Sequence, residues 1–181
     1  DSYAQYGISF YTNQEYDSAI KYYQKAINLA SKEEANNYRF ISYLCSAYEK
    51  KGHYKHIFDI IENEILANDN NNSEYFNLLL IKLSAALKIG LTEEAVLTLK
   101  ILEDVIPQLD TINTYNKYIS LKAKYYQTIA SFQNSDSIFL RLIEHYDSTN
   151  NKMDKAETFM QLALNAMEVS RYQQSSQYLI Q

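Results

Sequence analysis

The fold is decided by residues 3–30, which read YAQYGISFYTNQEYDSAIKYYQKAINLA. Apolar side chains recur three and four positions apart on both sides of the polar turn Asn13-Gln14-Glu15. This spacing places them on one face of an α-helix. The stretch therefore predicts two amphipathic helices joined by a short turn.

The polar turn recurs at a fixed interval along the chain. Gly52 lies midway between Gln14 and Gly90, and each of the two glycines separates two amphipathic stretches. At the same distance after each turn centre the side chains are apolar: Ala19, Ile57 and Ala95. The period is about 38 residues, and a period of roughly 20–50 residues is the sequence signature of a stacked repeat architecture.

Three helix pairs follow from this register. The predicted helices cover residues 2–13 and 16–30, 33–51 and 54–68, and 74–89 and 92–106. Pro107 is expected to end the third pair, because proline has no amide hydrogen and disfavours helix at the preceding residue. The Asn- and Asp-rich run 68–72 predicts a loop, and Ser73 is the expected N-cap of the helix that follows it.

The last third of the chain keeps the helical pattern but loses the strict period. The expected order is a helix near 112–132, a break at Gln133-Asn134-Ser135-Asp136, an apolar helix through 138–143, a helix over 155–168, a turn at Ser170-Arg171 and a helix over 172–180. Only three glycines and one proline occur in 181 residues, which argues against a sandwich or a barrel. The chain is therefore expected to be all-α.

The first unit resembles a tetratricopeptide repeat (TPR). It matches the family's pattern at Tyr3, Tyr6, Gly7, Phe10, Tyr16, Ala19, Tyr23 and Ala26. The resemblance implies a right-handed α-solenoid of about four and a half repeats, near 1–32, 33–72, 73–110, 111–148 and 149–181, the last incomplete. Units of about 38 residues, in place of about 34, also resemble the peptide-sensing TPR-type regulators of Gram-positive bacteria.

The composition and charge of the chain limit which kinds of partner and compartment we expect for it. The formal net charge is −5 and the charges alternate in sign, so direct nucleic-acid binding by this segment is not expected. Cys45 has no second cysteine to pair with, which fits a reducing, cytoplasmic compartment. The longest aliphatic run, Leu78 to Ile81, is far too short to cross a bilayer. Because the chain starts at Asp1, we interpret it as a fragment of a longer protein.

The resemblance also implies a binding groove, because in TPR arrays the first helix of each pair lines a concave surface that holds a peptide or a partner segment. The inward positions carried over are Ala4, Ile8, Tyr11, Arg39, Ser42, Ser46, Glu49, Asn77, Leu80, Ser84 and Lys88. Their mixture of cations, hydroxyls and apolar groups would suit a short peptide. A solvated face with no ligand has the same composition and remains the alternative.

Catalytic, cofactor and metal sites are not expected. His53 and His56 do not have the spacing of a zinc site, and Cys45 lies at a small-residue packing position. The isolated glycines form no phosphate-binding loop. The expectation is thus a non-catalytic peptide-binding module, and the sensor domain of a larger regulator is one such module. The alternative is a scaffold or homodimerisation arm that uses its convex face or its ends, because 18 tyrosines leave some rings on the surface.

Overall fold

The computed structural model describes residues 2–30, 35–64, 73–105 and 112–180, and their regular secondary structure is entirely α-helical. The ten helices of these ranges are α1 (Ser2–Thr12), α2 (Tyr16–Leu29), α3 (Ala35–Lys50), α4 (Tyr54–Glu64), α5 (Ser73–Ile89), α6 (Thr92–Val105), α7 (Ile112–Thr128), α8 (Phe132–Ser148), α9 (Lys152–Glu168) and α10 (Tyr172–Ile180). None of them is long and apolar enough to cross a membrane.

The helices form two compact units. Unit 1 covers residues 1–110 and holds three helix pairs, and unit 2 covers residues 111–181 and holds two. Within each unit every pair packs its two helices side by side, and successive pairs are in contact. Stacking is required because a single pair cannot bury its own apolar face.

The core of unit 1 lies between the pairs. The positions that recur after each turn, Ala19, Ile57 and Ala95, are all fully buried. In the first pair the Gly7 backbone lies so close to the ring of Tyr23 that a Cβ atom at Gly7 would stand 2.4 Å from Tyr23 Cε1. A glycine is therefore needed where α1 meets α2.

Helix α5 is the most apolar element of unit 1. It buries eight residues, including the consecutive run from Leu78 to Ile81, and packs against α3, α4 and α6. A helix that is apolar on most of its circumference is surrounded by other elements. The core of unit 2 is built in the same way from α7, α8 and α9, around Ala123, Phe139, Leu142 and Leu162.

The six turns that the structure describes between helices share one geometry. The middle residue has a left-handed backbone with φ between 53° and 74°: Gln14, Gly52, Gly90, Ala130, Asn150 and Ser170. The first four follow one another at nearly equal spacing, and the last two follow at about half that spacing. At Ala130 the amide donates to the Gln127 carbonyl at 2.9 Å, and the next amide, that of Ser131, donates to the Tyr126 carbonyl at 2.8 Å. This pair of bonds closes the preceding helix as a Schellman motif.

Two predicted boundaries are wrong. Helix α7 ends at Thr128, and the expected break at 133–136 is the first turn of α8, because the chain reverses at Ala130 instead. Alanine is an unusual residue for a left-handed turn, so the sequence carries no signal there. Helix α9 begins at Lys152, not at Lys155, because the Asn151 side chain accepts a bond from the Asp154 amide at 3.3 Å and caps the helix.

Several other predictions agree with the structure or lie outside the described residues. The first two helices, the turn at Ser170-Arg171 and the final helix are confirmed within one residue. The prediction of Ser73 as the N-cap is one position off, because Ser73 is the first residue of α5 itself. The predicted loop 68–72 and the helix stop at Pro107 lie outside the described residues.

Candidate functional site

A hydrogen bond joins the first helices of the second and third pairs. Ser84 Oγ, in α5, donates to Glu49 Oε1, in α3, at 2.8 Å, and both side chains are half-buried. The two helices therefore meet through a polar contact in their C-terminal halves.

Tyr11, on the first helix of the first pair, is influenced electrostatically by groups of α3. Burial raises the pKa of the Tyr11 hydroxyl, Lys50 lowers it, and Tyr16 and Glu49 raise it further. The Tyr11 hydroxyl therefore lies within electrostatic reach of Glu49 and Lys50 on α3. We call Tyr11, Glu49 and Ser84, which belong to the first helices α1, α3 and α5, the first-helix row.

The predicted cations lie at separate places along this surface. Lys88 is exposed one helical turn beyond Ser84, in the last turn of α5. Arg39 is exposed near the start of α3, ten residues before Glu49, which is about 15 Å along the helix axis. Lys50, which sequence reasoning did not select, adds an exposed cation at the Tyr11 end.

The remaining predicted positions differ in accessibility. Ser42, Ser46 and Asn77 are half-buried, and Ser46 Oγ donates to the Ser42 carbonyl at 2.9 Å, so its oxygen can still accept a bond. Leu80 is predicted on the groove surface, and this is wrong: it is 0% exposed because α5 is enclosed by three helices. Ala4 is buried as well, against Ala26 and Phe40.

Unit 2 contains a polar connection of the same kind that the sequence does not reveal. Asn165 of α9 is 1% exposed, and its Nδ2 donates to Ser135 Oγ at 3.0 Å and to Asp136 Oδ1 at 2.7 Å. Its Oδ1 accepts from Gln127 Nε2 of α7 at 2.7 Å. Asp136 also pairs with Arg171 at 3.0 Å. Three helices are thus joined through one buried amide, at a position where the sequence pattern alone predicts only helix.

Two clefts open on unit 1 near the second helices. One of about 260 Å³ is lined by residues of α2, α3 and α4, among them Gln24, Tyr48 and Asp59. The other, of about 800 Å³, lies between α4 and the Gly90 turn and is lined by Phe58, Ile89 and Leu91 among others. Tyr48 stacks on His56 with ring centroids 5.1 Å apart.

In the described part of the chain, the metal-ligand residue types are dispersed and the single thiol is buried. No group of three or more His, Cys, Asp or Glu side chains there could hold a metal ion. Burial raises the pKa of the Cys45 thiol to about 12, and Glu49 adds to the rise. Cys45 is therefore a protonated packing residue at neutral pH.

Comparison with known proteins identifies the fold. No family model and no curated protein matches the chain. Among solved structures it is similar to a kinesin light chain-like protein of Podospora anserina with nearly identical TPR-like repeats, with a TM-score of 0.70, 13% identity, and coverage of 98% of this chain and 90% of that one. A single-residue variant of that protein gives a TM-score of 0.74 at 12% identity with the same coverage. The chain therefore has the all-α fold of a TPR-like repeat solenoid.

Proposed function

We propose that this chain is a non-catalytic module that binds a peptide or a short protein segment on the first-helix row of unit 1. The observation that carries the proposal is the hydrogen bond from Ser84 Oγ to Glu49 Oε1, at 2.8 Å, between the first helices of the second and third pairs. Repeat solenoids use such extended surfaces for binding.

The charges along this surface indicate which type of peptide we expect to bind. Arg39 at one end, and Lys88 and Lys50 at the other, offer donors to carboxylates, and Glu49 accepts from a backbone amide or a cation. The separation of about 15 Å along α3 corresponds to about five residues of extended peptide. The proposed ligand is therefore a short peptide with acidic groups near both ends.

The experiment uses a library of acidic octapeptides. Peptides retained by the immobilised chain are identified by mass spectrometry, and their affinities are measured by fluorescence anisotropy. Arg39→Glu combined with Lys88→Glu should weaken binding at least tenfold without a change in helix content. The matched control, Lys21→Glu with Lys100→Glu, changes the same charge at exposed positions of α2 and α6 and should bind like the wild type. If the two double variants bound the peptides with the same affinity, the proposed binding site would be refuted.

The role of this module in a larger protein follows from the resemblance of its long repeats to peptide-sensing regulators. We propose that it is the sensor or regulatory part of such a regulator, built as one array of successive repeats and acting in the cytoplasm. The sequence has one cysteine, Cys45, and so forms no internal disulfide, which is usual in a reducing compartment. A helix-turn-helix segment upstream in the full-length gene would support this role, and an unrelated domain there would contradict it.

A second candidate, an assembly or homodimerisation arm, is favoured by an aromatic cluster on the first pair. The half-buried Tyr22 ring stacks on Phe10 at 5.2 Å and lies 5.5 Å from the exposed Tyr6. Tyr23, the next residue, points instead to Tyr43 of α3, at 5.6 Å. Exposed tyrosines are common in protein interfaces. Concentration-dependent self-association in sedimentation velocity, lost on Tyr6→Ser, would favour this role over peptide binding.

A further inference from the structure

The larger cleft of unit 1 lies between α4 and the turn at Gly90. It measures about 800 Å³, and its lining includes Tyr54 and Phe58 of α4 together with Ile89 and Leu91 on either side of Gly90. Pockets that bind small molecules in proteins measure roughly 300–1,000 Å³. We call this space the α4 cleft.

The α4 cleft is separate from the first-helix row. Helices α4 and α6 are the second helices of their pairs, and among the described lining residues only Ile89 belongs to a first helix. None of the groove positions carried over from the TPR family is among the described residues that line it. A ligand in the cleft would therefore use a surface other than the one proposed for peptides.

Part of the lining is apolar. Tyr54 and Phe58 lie about one helical turn apart on the same face of α4, and both rings are half-buried. The exposed fractions of Ile89 and Leu91 are 38% and 45%. These four side chains can cover the apolar body of a ligand, and the apolar surface removed from water would favour its binding.

Three carboxylates line the cleft, and two of them are unpaired. Glu94 is neutralised by Lys82 of α5, whose Nζ lies 2.5 Å from Glu94 Oε1. Asp59 and Glu62 are exposed, and neither has an ion pair among the described residues. Glu62 also lies in the last turn of α4, which holds no basic residue, so the helix dipole disfavours its charge. A cation brought by a ligand would stabilise both carboxylates.

The remaining groups of the lining leave an excess of one negative charge. Lys55 lines the cleft and is exposed, and together with Lys82 it offsets two of the three carboxylates. His53 and His56 line the cleft as well, and each can accept a hydrogen bond as a neutral imidazole. The excess charge matches a ligand that carries one positive charge.

We propose that the α4 cleft binds a small organic amine that has an apolar body and one ammonium group. The body packs against Phe58, Ile89 and Leu91, and the ammonium group donates charge-assisted hydrogen bonds to Asp59 and Glu62. Glu62 lies one helical turn beyond Phe58, so one small molecule can reach the ring and the carboxylate together. This binding goes beyond the peptide role proposed for unit 1.

The probe for the test is tryptamine, an indole ring with an ethylammonium arm. Because the chain contains no tryptophan, indole fluorescence excited beyond the absorption of tyrosine reports the ligand alone. We expect its anisotropy to rise with protein concentration and to saturate at one tryptamine per chain. Tryptophol and indole-3-propionate carry a hydroxyl and a carboxylate in place of the ammonium group. Each should bind at least about tenfold more weakly.

A pair of double variants tests the carboxylates. Asp59→Asn with Glu62→Gln should raise the tryptamine concentration for half-maximal binding at least about tenfold, because the charge-assisted hydrogen bonds are lost. The matched control, Glu93→Gln with Asp104→Asn, removes the same charge at exposed positions of α6 outside the cleft. It should bind like the wild type.

A pair of leucine variants tests the apolar lining. Leu91→Ala removes part of that lining and should weaken tryptamine binding about threefold or more. Leu97→Ala alters a leucine of α6 that is 54% exposed and lies outside the cleft, so it should bind like the wild type. Circular dichroism checks that each variant keeps its helix content.

Four results would overturn the proposal: no saturable rise in anisotropy, equal binding of tryptophol, an equal effect of the two double variants, or an equal effect of the two leucine variants. Tighter binding of a peptide with adjacent Trp and Lys than of tryptamine would overturn it as well, because the cleft would then take side chains of a protein partner. None of these measurements uses an acidic octapeptide, so failure here is distinguishable from failure of the first-helix row.

Discussion

Asn165 connects three helices of unit 2 through one buried side chain. Replacing it with Ala removes the partner of Gln127, Ser135 and Asp136 and opens a small cavity. We expect Asn165→Ala to lower the free energy of unfolding by about 2–4 kcal/mol. Urea unfolding followed by circular dichroism measures this. Gln161→Ala, which removes only one 3.3 Å bond from Gln127, is the control and should cost under about 1 kcal/mol.

Gly7 is required by the close approach of α1 to the Tyr23 ring. A Cβ atom there would stand 2.4 Å from Tyr23 Cε1, so the ring or the helix must move. Gly7→Ala should destabilise the chain by about 1–3 kcal/mol, although alanine favours helix in general. A gain in stability in urea unfolding, as at an unhindered helical glycine, would show that the two helices are not in this contact.

The buried side chains of Cys45 and Tyr23 make the stability of the folded chain depend on pH in the alkaline range. Burial raises the pKa of both groups to about 12 in the folded chain, above the ordinary 9.0 for the thiol and 10.0 for the phenol. The unfolded chain therefore loses these protons first, and stability should fall as the pH rises above 9 and towards 12.

The urea midpoint measured between pH 8 and pH 11 tests this direction. Cys45→Ala removes one of the two groups. The fall of the urea midpoint with rising pH should then be shallower and should begin nearer pH 10. A midpoint that is constant over this range in the wild type would contradict the burial of both groups.

At the scale of the elements, the turns explain which helices can be predicted. The pairs in unit 1 are predictable because Gly52 and Gly90 mark the left-handed position and the small or branched residues Ala19, Ile57 and Ala95 follow at a fixed distance. Ala130 takes the same left-handed geometry without a glycine, so the sequence pattern extends α7 beyond its end at Thr128. Backbone strain at a single alanine leaves no periodic signal.

The backbone strain in the turn at Ala130 can be relieved by a substitution. Ala130 has φ 55°, which costs about 1 kcal/mol for a residue with a Cβ atom. Ala130→Gly should therefore raise the free energy of unfolding by about 0.5–1 kcal/mol. Ala156→Gly, at an exposed site inside α9, should lower it by a similar amount. The opposite signs of the two substitutions, read from urea midpoints, separate the turn effect from the general effect of glycine.

The candidate site is predictable in part. Glu49 and Ser84 are predicted by the resemblance to TPR arrays, which places them at inward first-helix positions, and the structure brings them into contact. The groove prediction for Leu80 is wrong because residue spacing indicates which side of a helix a residue lies on, but not how many helices surround that helix. Helix α5 is enclosed by three helices, so Leu80 is buried. The Asn165 contacts cannot be found from spacing either, since they depend on which faces of α9 the other helices cover.

At the scale of the whole molecule, we assign different surfaces to the two units. In unit 1 the first helices α3 and α5 meet through the hydrogen bond between Glu49 and Ser84, which suits a polar peptide. In unit 2 the first helix of the last pair exposes the apolar side chains of Met153, Met160, Leu164 and Met167. The acidic net charge of the chain favours cationic partners in general, so the cations of unit 1 are the specific feature of the peptide row.

The most direct test of peptide binding is native mass spectrometry of the chain with the acidic octapeptide library. We expect a complex of one chain with one peptide, absent for Arg39→Glu with Lys88→Glu and retained for Lys21→Glu with Lys100→Glu. Multiples of the 21.1 kDa chain mass without any bound peptide would contradict it and would identify the array as an assembly surface.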